Sequence, residues 1–423
     1  MTENTLIKDN HALILNENQI KTHQEFKFSE KDQQIQNLKK DFFGQVFMNS
    51  EAFLQLNHSD TSIYLTGDIS DTYSKVLKYA HNRTVLVIKE LSFNFPEDPK
   101  YTLITLGQVP HNVYNVGVFY PNYFQNTKNY FRLLNNEHQF QDLTESDKVG
   151  VSYRKGIYLT KVEESKEGLK FKLLRCSTNL KGPTDNLRKT DLEILEQVNQ
   201  TARTLFKEES ELNHVLAQVY NNTRINDKEK KAKIKDHSDK TKDMPSNGLM
   251  AFCTFYSNYN ENRFTQGDLK GKLKRSKTTP YDWTYSCGSV LTRLRFRLKK
   301  VVNDPELEKQ FDIVLYPNSV FFMSLKTNRL YTHEIIPATL PVEYLPTRLG
   351  YVIRCSDTPA LFKDGQTYLV EDNGDLVKLE KPTPEDAKQL RHDYYKENIS
   401  IEKMDYGQVN FSFNDGDYEQ PLI

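Results

Sequence analysis

From Ser62 onward, apolar and polar positions alternate in short runs rich in β-branched and aromatic residues. Turn-forming residues close these runs, which is the pattern of strands divided by loops. TSIYLTGDI, RTVLVIKELSF and YTLITLGQV come first. The helix-like stretch NTKNYFRLLNNEHQF separates them from GVSYRKGIYLTKV and LKFKLLRCS. Over 190–208, Leu192, Leu195, Val198, Ala202, Leu205 and Phe206 recur near helical spacing behind a Thr or Asp cap, which predicts a helix. HVLAQVY then reads as a strand, followed by NGLMAFCTFYS, SVLTRLRFRLK, FDIVLYPNSVFFMSL, LYTHEI and RLGYVIRCS. PTPEDAKQLRHDYYKEN opens on Pro-Thr-Pro and continues with good helix formers. Many strands without regular helices between them predict a mainly β chain with flanking helices (α+β). An antiparallel double-sheet barrel is expected rather than a parallel α/β fold. Residues 1–50, rich in Asn, Gln, Lys and Glu with no sustained period, read as a mobile polar arm; 51–111 hold strands of no assigned role.

Composition sharpens this only in part. The chain has 423 residues, of which 37% are apolar, and a mean hydropathy of −0.69, so long wet loops are expected around a compact centre. The 12% aromatic content argues against disorder throughout. Lys plus Arg and Asp plus Glu number 57 each, so attraction to nucleic acid or an anionic membrane would have to be local. No apolar run is long enough to span a bilayer, and the opening residues lack a signal-peptide pattern. Cys176, Cys253, Cys287 and Cys355 lie far apart, without zinc-site spacing. An intracellular, reduced protein is expected, with cysteines in the core; nothing in the pattern bears on its oligomeric state.

The chemistry-bearing residues cluster late in the chain. His237-Ser238-Asp239 follows a Lys-rich loop and precedes an apolar strand. Two residues separated by one on an extended segment point to the same side, so an imidazole and a carboxylate can share a metal. A second histidine from a distant strand would complete the facial triad used by non-haem Fe(II). The tripeptide alone is also ordinary surface polarity, and His58-Ser59-Asp60 repeats it. Downstream only His333 and His392 remain, the latter on a charged helical surface. His333 lies in the strand-like NRLYTHEIIP, where a backbone-bonded core histidine is the plainer reading. In RLGYVIR, Arg348 and Arg354 share one strand face with Gly350, while Leu349, Tyr351 and Ile353 face the other way. Two arginines on a buried strand are costly unless they meet anions, and a dicarboxylate would supply them.

H-x-D, a distal His, and Arg-x5-Arg together resemble the AlkB-like branch of the Fe(II)/2-oxoglutarate dioxygenases. ELNHVLAQVYNN is similar to that family's strand before H-x-D, and RLYTHEIIP to its R-x-x-x-H-x-I-x-P element. The resemblance runs from about Val113 to Ser356 and implies a double-stranded β-helix (jelly-roll) core behind an N-terminal extension. It places a dioxygenase domain over 112–423, with an insertion near 261–280. It further implies Fe(II) held by His237, Asp239 and His333, with 2-oxoglutarate and O2 as cosubstrates. Arg348 would take the distal carboxylate, Arg354 would support the metal-binding end, and Tyr220 and Gln218 would contact the cosubstrate. Gln218 and Gly350 stand where the family has Asn.

That resemblance implies oxidation of an N-alkylated base in single-stranded or flipped-base nucleic acid, by hydroxylation leading to demethylation. Lys228, Lys230, Lys231, Lys233 and Lys235 before the H-x-D, and Lys270, Lys272, Lys274, Arg275 and Lys277 in the insertion, could serve phosphate contact or solubility alike. The same holds for Arg293, Arg295, Arg297 and Lys299, which alternate with Leu294, Phe296 and Leu298. Asp243 is a candidate for bonding a substrate amine, or a solvated carboxylate. Two alternatives stand beside the nucleic acid reading: the same chemistry on a protein side chain or small metabolite, and a non-catalytic binding module whose arginines form structural ion pairs.

Overall fold

A computed structural model describes the chain except for residues 1–4, 24–27, 56–61, 78–82, 98–99, 125–126, 145–150, 177–179, 258–281 and 284–287. The insertion expected near 261–280 with its basic cluster, the His58 tripeptide and Cys287 lie outside the described residues. The chain divides into two compact units, one of Thr5–Phe124 with Thr201–Lys207, the other of Gln125–Gln200 with Glu208–Ile423.

The first unit runs β1 (His11–Ile14), α1 (Glu17–Thr22), α2 (Phe28–Asp41), β2 (Gln45–Phe47), α3 (Ser50–Leu54), β3 (Ser62–Asp68), α4 (Ile69–Leu77), β4 (Val85–Phe93) and β5 (Thr102–Ile104). The five strands form one all-parallel sheet in the order β2-β1-β3-β4-β5. Alternate residues of β1 feed two cores: Ala12 and Ile14 pack with Ile63, Leu65 and Val87, while Leu13 packs with Tyr64, Ile88 and Leu38. A parallel sheet buried on both faces needs such cover. Residues 1–50 are therefore not a mobile arm over their described length. The expectation against a parallel α/β arrangement fails for this unit. Its first two strands are only four and three residues long, too short to stand out against polar helices. A hairpin of β6 (His111–Val113) and β7 (Gly117–Tyr120) follows.

The second unit begins with α5 (Tyr130–Glu137), β8 (Gln141–Thr144), β9 (Val151–Thr160), β10 (Glu163–Ser165), β11 (Gly168–Lys172) and β12 (Asp185–Asn186). Next comes α6 (Lys189–Leu205), whose last turn from Thr201 belongs to the first unit and which buries Ile194, Leu195, Val198, Ala202 and Leu205, while Leu192 is exposed rather than on the apolar face. The fully buried β13 (His214–Tyr220) leads to a hairpin of β14 (Thr223–Ile225) and β15 (Lys228–Lys230), then to β16 (Ile234–His237) and β17 (Leu249–Tyr256). The short pair β18 (Asp282–Trp283) and β19 (Gly288–Ser289) precedes β20 (Arg293–Leu298), β21 (Gln310–Val314) and β22 (Ser319–Ser324). The chain then forms α7 (Leu325–Leu330), β23 (Tyr331–Ile336), β24 (Arg348–Arg354), β25 (Pro359–Lys363), β26 (Gln366–Val370), β27 (Leu376–Lys378) and α8 (Pro384–Ile399). A Thr383–Asp386 capping box with Pro384 in the first turn starts α8 where the sequence places it.

Three sheets of antiparallel strands organise this unit. The largest orders β12-β9-β13-β24-β17-β22, antiparallel but for the β12–β9 pairing; the others are β16-β23-β20-β21 and β10-β11-β25-β26-β27. The architecture is mixed α/β and rich in strands. Among the described residues no helix is long and apolar enough to cross a membrane.

Candidate metal centre

Two of these sheets supply one cavity of about 500 Å3, whose lining includes His237, Asp239, His333, Arg348, Gly350 and Arg354. The four-stranded sheet brings the histidines. His237 at the end of β16 is the direct antiparallel partner of His333 on β23, with ring centroids 4.6 Å apart. His237 Nδ1–H donates to the Lys235 carbonyl at 2.8 Å, which fixes the tautomer and leaves the Nε2 lone pair free. Nε2 lies 3.9 Å from Asp239 Oδ1, and ligand atoms of His237, Asp239 and His333 all fall within 4.8 Å of one another.

The electrostatics favour a cation there. His333 is 4% exposed and packed between Phe252 and Phe296. Burial, with His237 beside it, pushes its pKa down to about 3; burial likewise lowers His237. Both rings are thus neutral lone-pair donors at pH 7. Burial by itself would raise the Asp239 carboxyl, but the Arg354 guanidinium hydrogen-bonded to it holds it well below the usual carboxylate range. Two neutral imidazoles and an ionised carboxylate form the donor set suited to a non-haem divalent iron.

The largest sheet supplies the rest. In the β13–β24 ladder Tyr220 pairs with Arg348, Gln218 with Gly350, and His214 with Arg354. Arg348 is 4% exposed, and its guanidinium carbon sits 3.7 Å from the Tyr220 ring centroid. Its Nε and Nη2 are buried without a hydrogen-bond partner, an arrangement that is costly unless an anion enters the cavity. Tyr220 Oη donates to Gln218 Oε1 at 3.1 Å. Gly350 has a steric reason: a Cβ there would lie 2.8 Å from Arg348 Nη1 and 3.2 Å from Tyr220 Cε2. A side chain such as Asn would displace the stacked pair.

Two residues differ from expectation. Arg354 spends Nε and Nη2 on Asp239, at 3.0–3.3 Å, leaving only Nη1 buried without a partner. It orders the Asp239 carboxylate first. Asp243, a candidate for a substrate amine or else a solvated carboxylate, does not line the cavity. It is 3% exposed and accepts hydrogen bonds from the Arg175 guanidinium, Lys242 Nζ and Thr358 Oγ1.

Sequence reading missed the side chains that hold the ligand turn. Asn328 on α7, 1% exposed, accepts from Asp239 N–H and donates to Asp239 C=O, both at 2.9 Å. It lies one residue before the Arg of R-x-x-x-H, the one signal that could have marked it. Asn398 on α8 accepts from Ser238 N–H at 2.9 Å and carries no local signal. A second buried group, Glu137, His138 and Asp191, has metal-type donors, but both His138 nitrogens donate to carboxylates, so the ring keeps no lone pair.

No family model matches this chain, and no curated protein matches it. Among solved structures it is similar to OsALKBH1, with 12% identity and a TM-score of 0.30, over 53% of this chain and 90% of that one. It is also similar to a Pseudomonas putida prolyl-4-hydroxylase, with 11% identity and a TM-score of 0.25, over 53% and 81%. At these scores the likeness adds nothing to the case for the site, which stands on its own residues.

Proposed function

We propose that the protein is an Fe(II)- and 2-oxoglutarate-dependent dioxygenase of the AlkB-like kind, with its jelly-roll core formed by the two sheets that line the cavity. One observation carries the reading. Three metal-type ligands share a cavity with a buried arginine that has two unpartnered N–H groups. His237, Asp239 and His333 would hold the metal. Arg348, stacked on Tyr220, would bind a carboxylate of 2-oxoglutarate, and the absence of a Cβ at Gly350 lets that pair stand. Arg354 keeps Asp239 ionised and oriented, and apolar Phe252, Leu294, Val352 and Ile335 limit water around the reacting centre. Fe(II) with O2 would supply the oxidation, converting 2-oxoglutarate to succinate and CO2 while a substrate C–H bond is hydroxylated.

Succinate formation from 2-oxoglutarate under Fe(II) and O2 tests this. Wild type is expected to turn over, and His237→Ala, His333→Ala and Arg348→Ala to lose turnover. The proposal fails if wild type neither makes succinate nor binds Fe(II) with 2-oxoglutarate anaerobically.

For the substrate, we propose an N-alkylated base in a single strand or flipped from a duplex. Lys233 and Lys235 are exposed at the cavity mouth, where phosphates could meet them. The basic face of β20 lends less support than its charge suggests. Arg293 and Arg295 pair with Asp312, Arg297 with Glu334, and Lys299 is buried on the carbonyls of Glu397 and Ser400. Salt-sensitive binding of single-stranded oligonucleotide, weakened by Lys233→Ala and Lys235→Ala, is expected. Its absence would turn the same chemistry toward a protein side chain or small metabolite.

A further inference from the structure

The two ligands closest in sequence, His237 and Asp239, sit on a turn whose backbone cannot hold itself in place. Beyond His237 the chain leaves the β16–β23 ladder, so the N–H groups of Ser238 and Asp239 must find partners elsewhere. Asp239 is closed by Asn328, and Ser238 Oγ donates to the Tyr331 carbonyl. The Ser238 N–H, lying between the two ligands, goes to Asn398 Oδ1 at 2.9 Å. The same oxygen accepts from Lys240 Nζ at 2.7 Å.

Asn398 stands in the last turn of α8, more than 150 residues further along the chain, and that turn is tied down unusually firmly. Lys240 also donates to the Tyr394 carbonyl, and Lys299 donates to the Glu397 and Ser400 carbonyls, so two buried lysines close the helix's C-terminal acceptors. Glu397, 4% exposed, accepts from both the N–H and the hydroxyl of Thr241 and from Tyr406 Oη. Helix end and ligand turn are thus joined by side chains on both sides. Asn398 itself lines the cavity.

We propose that the C-terminal helix is a working part of the metal centre, with Asn398 as a positioning residue that fixes the separation of His237 and Asp239. The assignment rests on the metal-centre reading above. The carbonyl oxygen of Asn398 does the holding in this arrangement, since it accepts from both Ser238 N–H and Lys240 Nζ. An aspartate keeps that acceptor and an alanine removes it, which separates positioning from mere helix packing. Groups that orient a ligand rather than bind the ion change metal affinity by about 10- to 100-fold.

The experiment is an anaerobic calorimetric titration of full-length protein with Mn(II), without cosubstrate, alongside thermal unfolding of each variant. Asn398→Ala is expected to bind Mn(II) at least about tenfold more weakly than wild type. Asn398→Asp should recover to within about threefold, and Tyr395→Ala, on the exposed side of the same helix, should match wild type. If Asn398→Ala folds poorly, Asn398→Ser, too short to reach Ser238 N–H, is expected to show the same loss. Wild-type affinity in the alanine or serine variant would overturn the proposal, as would an aspartate variant no better than alanine. Failure of wild type to bind Mn(II), or binding unaffected by His237→Ala, would instead remove the metal centre itself, and this inference with it.

Discussion

Two buried imidazole–carboxylate clusters sit in the same unit, and they are driven to opposite charge states. His138 lies between two carboxylates: Nδ1–H donates to Asp185 and Nε2–H to Asp191, both at 2.8 Å. Burial opposes its charge, yet the two carboxylates prevail and raise its pKa to about 9. His333 is as buried, but its carboxylate neighbour is already matched by Arg354 and its other neighbour is a second imidazole, so its pKa falls to about 3. The first cluster is a lock made of a fixed cation and two anions. The second is a pair of open lone pairs beside an ordered carboxylate. Strand β24 serves both, since Tyr351 donates to Asp191 from one face while Arg348 and Arg354 work from the other. Donor type alone therefore does not mark a candidate metal site; the prior engagement of each donor separates the two clusters.

The largest effects should separate the two clusters by function. His333→Ala is expected to weaken Mn(II) binding by about 100-fold or more, while His138→Gln should leave it within about twofold, by calorimetric titration. Equal losses would erase the distinction. His138→Gln should instead cost about 3–5 kcal/mol of stability in denaturant unfolding, because it leaves buried Asp191 without its cation and Asp185 with Arg188 alone.

Stability against pH sharpens the same contrast. The ordinary histidine value is 6.5 and the folded value of His138 is about 9. The folded state therefore holds this proton more tightly, and the stabilisation is complete below 6.5 and lost as pH rises through about 9. The stability gap between wild type and His138→Gln should thus shrink from pH 7 to 10. A gap that widened would contradict the assigned charge. Buried Lys242 and Lys299, with pKa values lowered to about 8, titrate nearby, but they are common to both proteins and cancel in the difference.

Smaller changes probe the anion side of the cavity. Gly350→Ala places a Cβ against Arg348 and should weaken 2-oxoglutarate binding about tenfold with metal affinity unchanged. Asp243→Asn, outside the cavity, should cost about 1–3 kcal/mol of stability and leave the 2-oxoglutarate KM unaltered.

What could be read from the sequence was what lies close along it. His237 and Asp239 share a tripeptide, Arg348 and Arg354 share a strand face, and β20 shows the alternation its Leu294 and Phe296 obey. In the second unit α5, α6, α8 and the longer strands followed from period and caps, whereas β25–β27 were not read as strands and FDIVLYPNSVFFMSL, read as one, is two, β21 and β22. In the parallel unit β3, β4 and β5 were legible as strands but their parallel arrangement was not, since cover from α2 rests on apolar positions such as Ile35 and Leu38 that stand isolated in polar text and only the fold gathers. Asn398 was equally invisible: an asparagine in a charged helix gains meaning only when α8 meets Ser238. Asp243 failed for the reverse reason, because proximity in sequence to Asp239 suggested a shared cavity that the turn at Thr241–Met244 prevents.

The most direct test of the account is anaerobic binding of 2-oxoglutarate with and without Mn(II), in wild type, His237→Ala and Arg348→Ala. The account predicts that Mn(II) tightens 2-oxoglutarate binding in wild type. His237→Ala should lose that enhancement, and Arg348→Ala should bind the metal but little cosubstrate. Wild type that binds neither ligand, or binding indifferent to both substitutions, would contradict it.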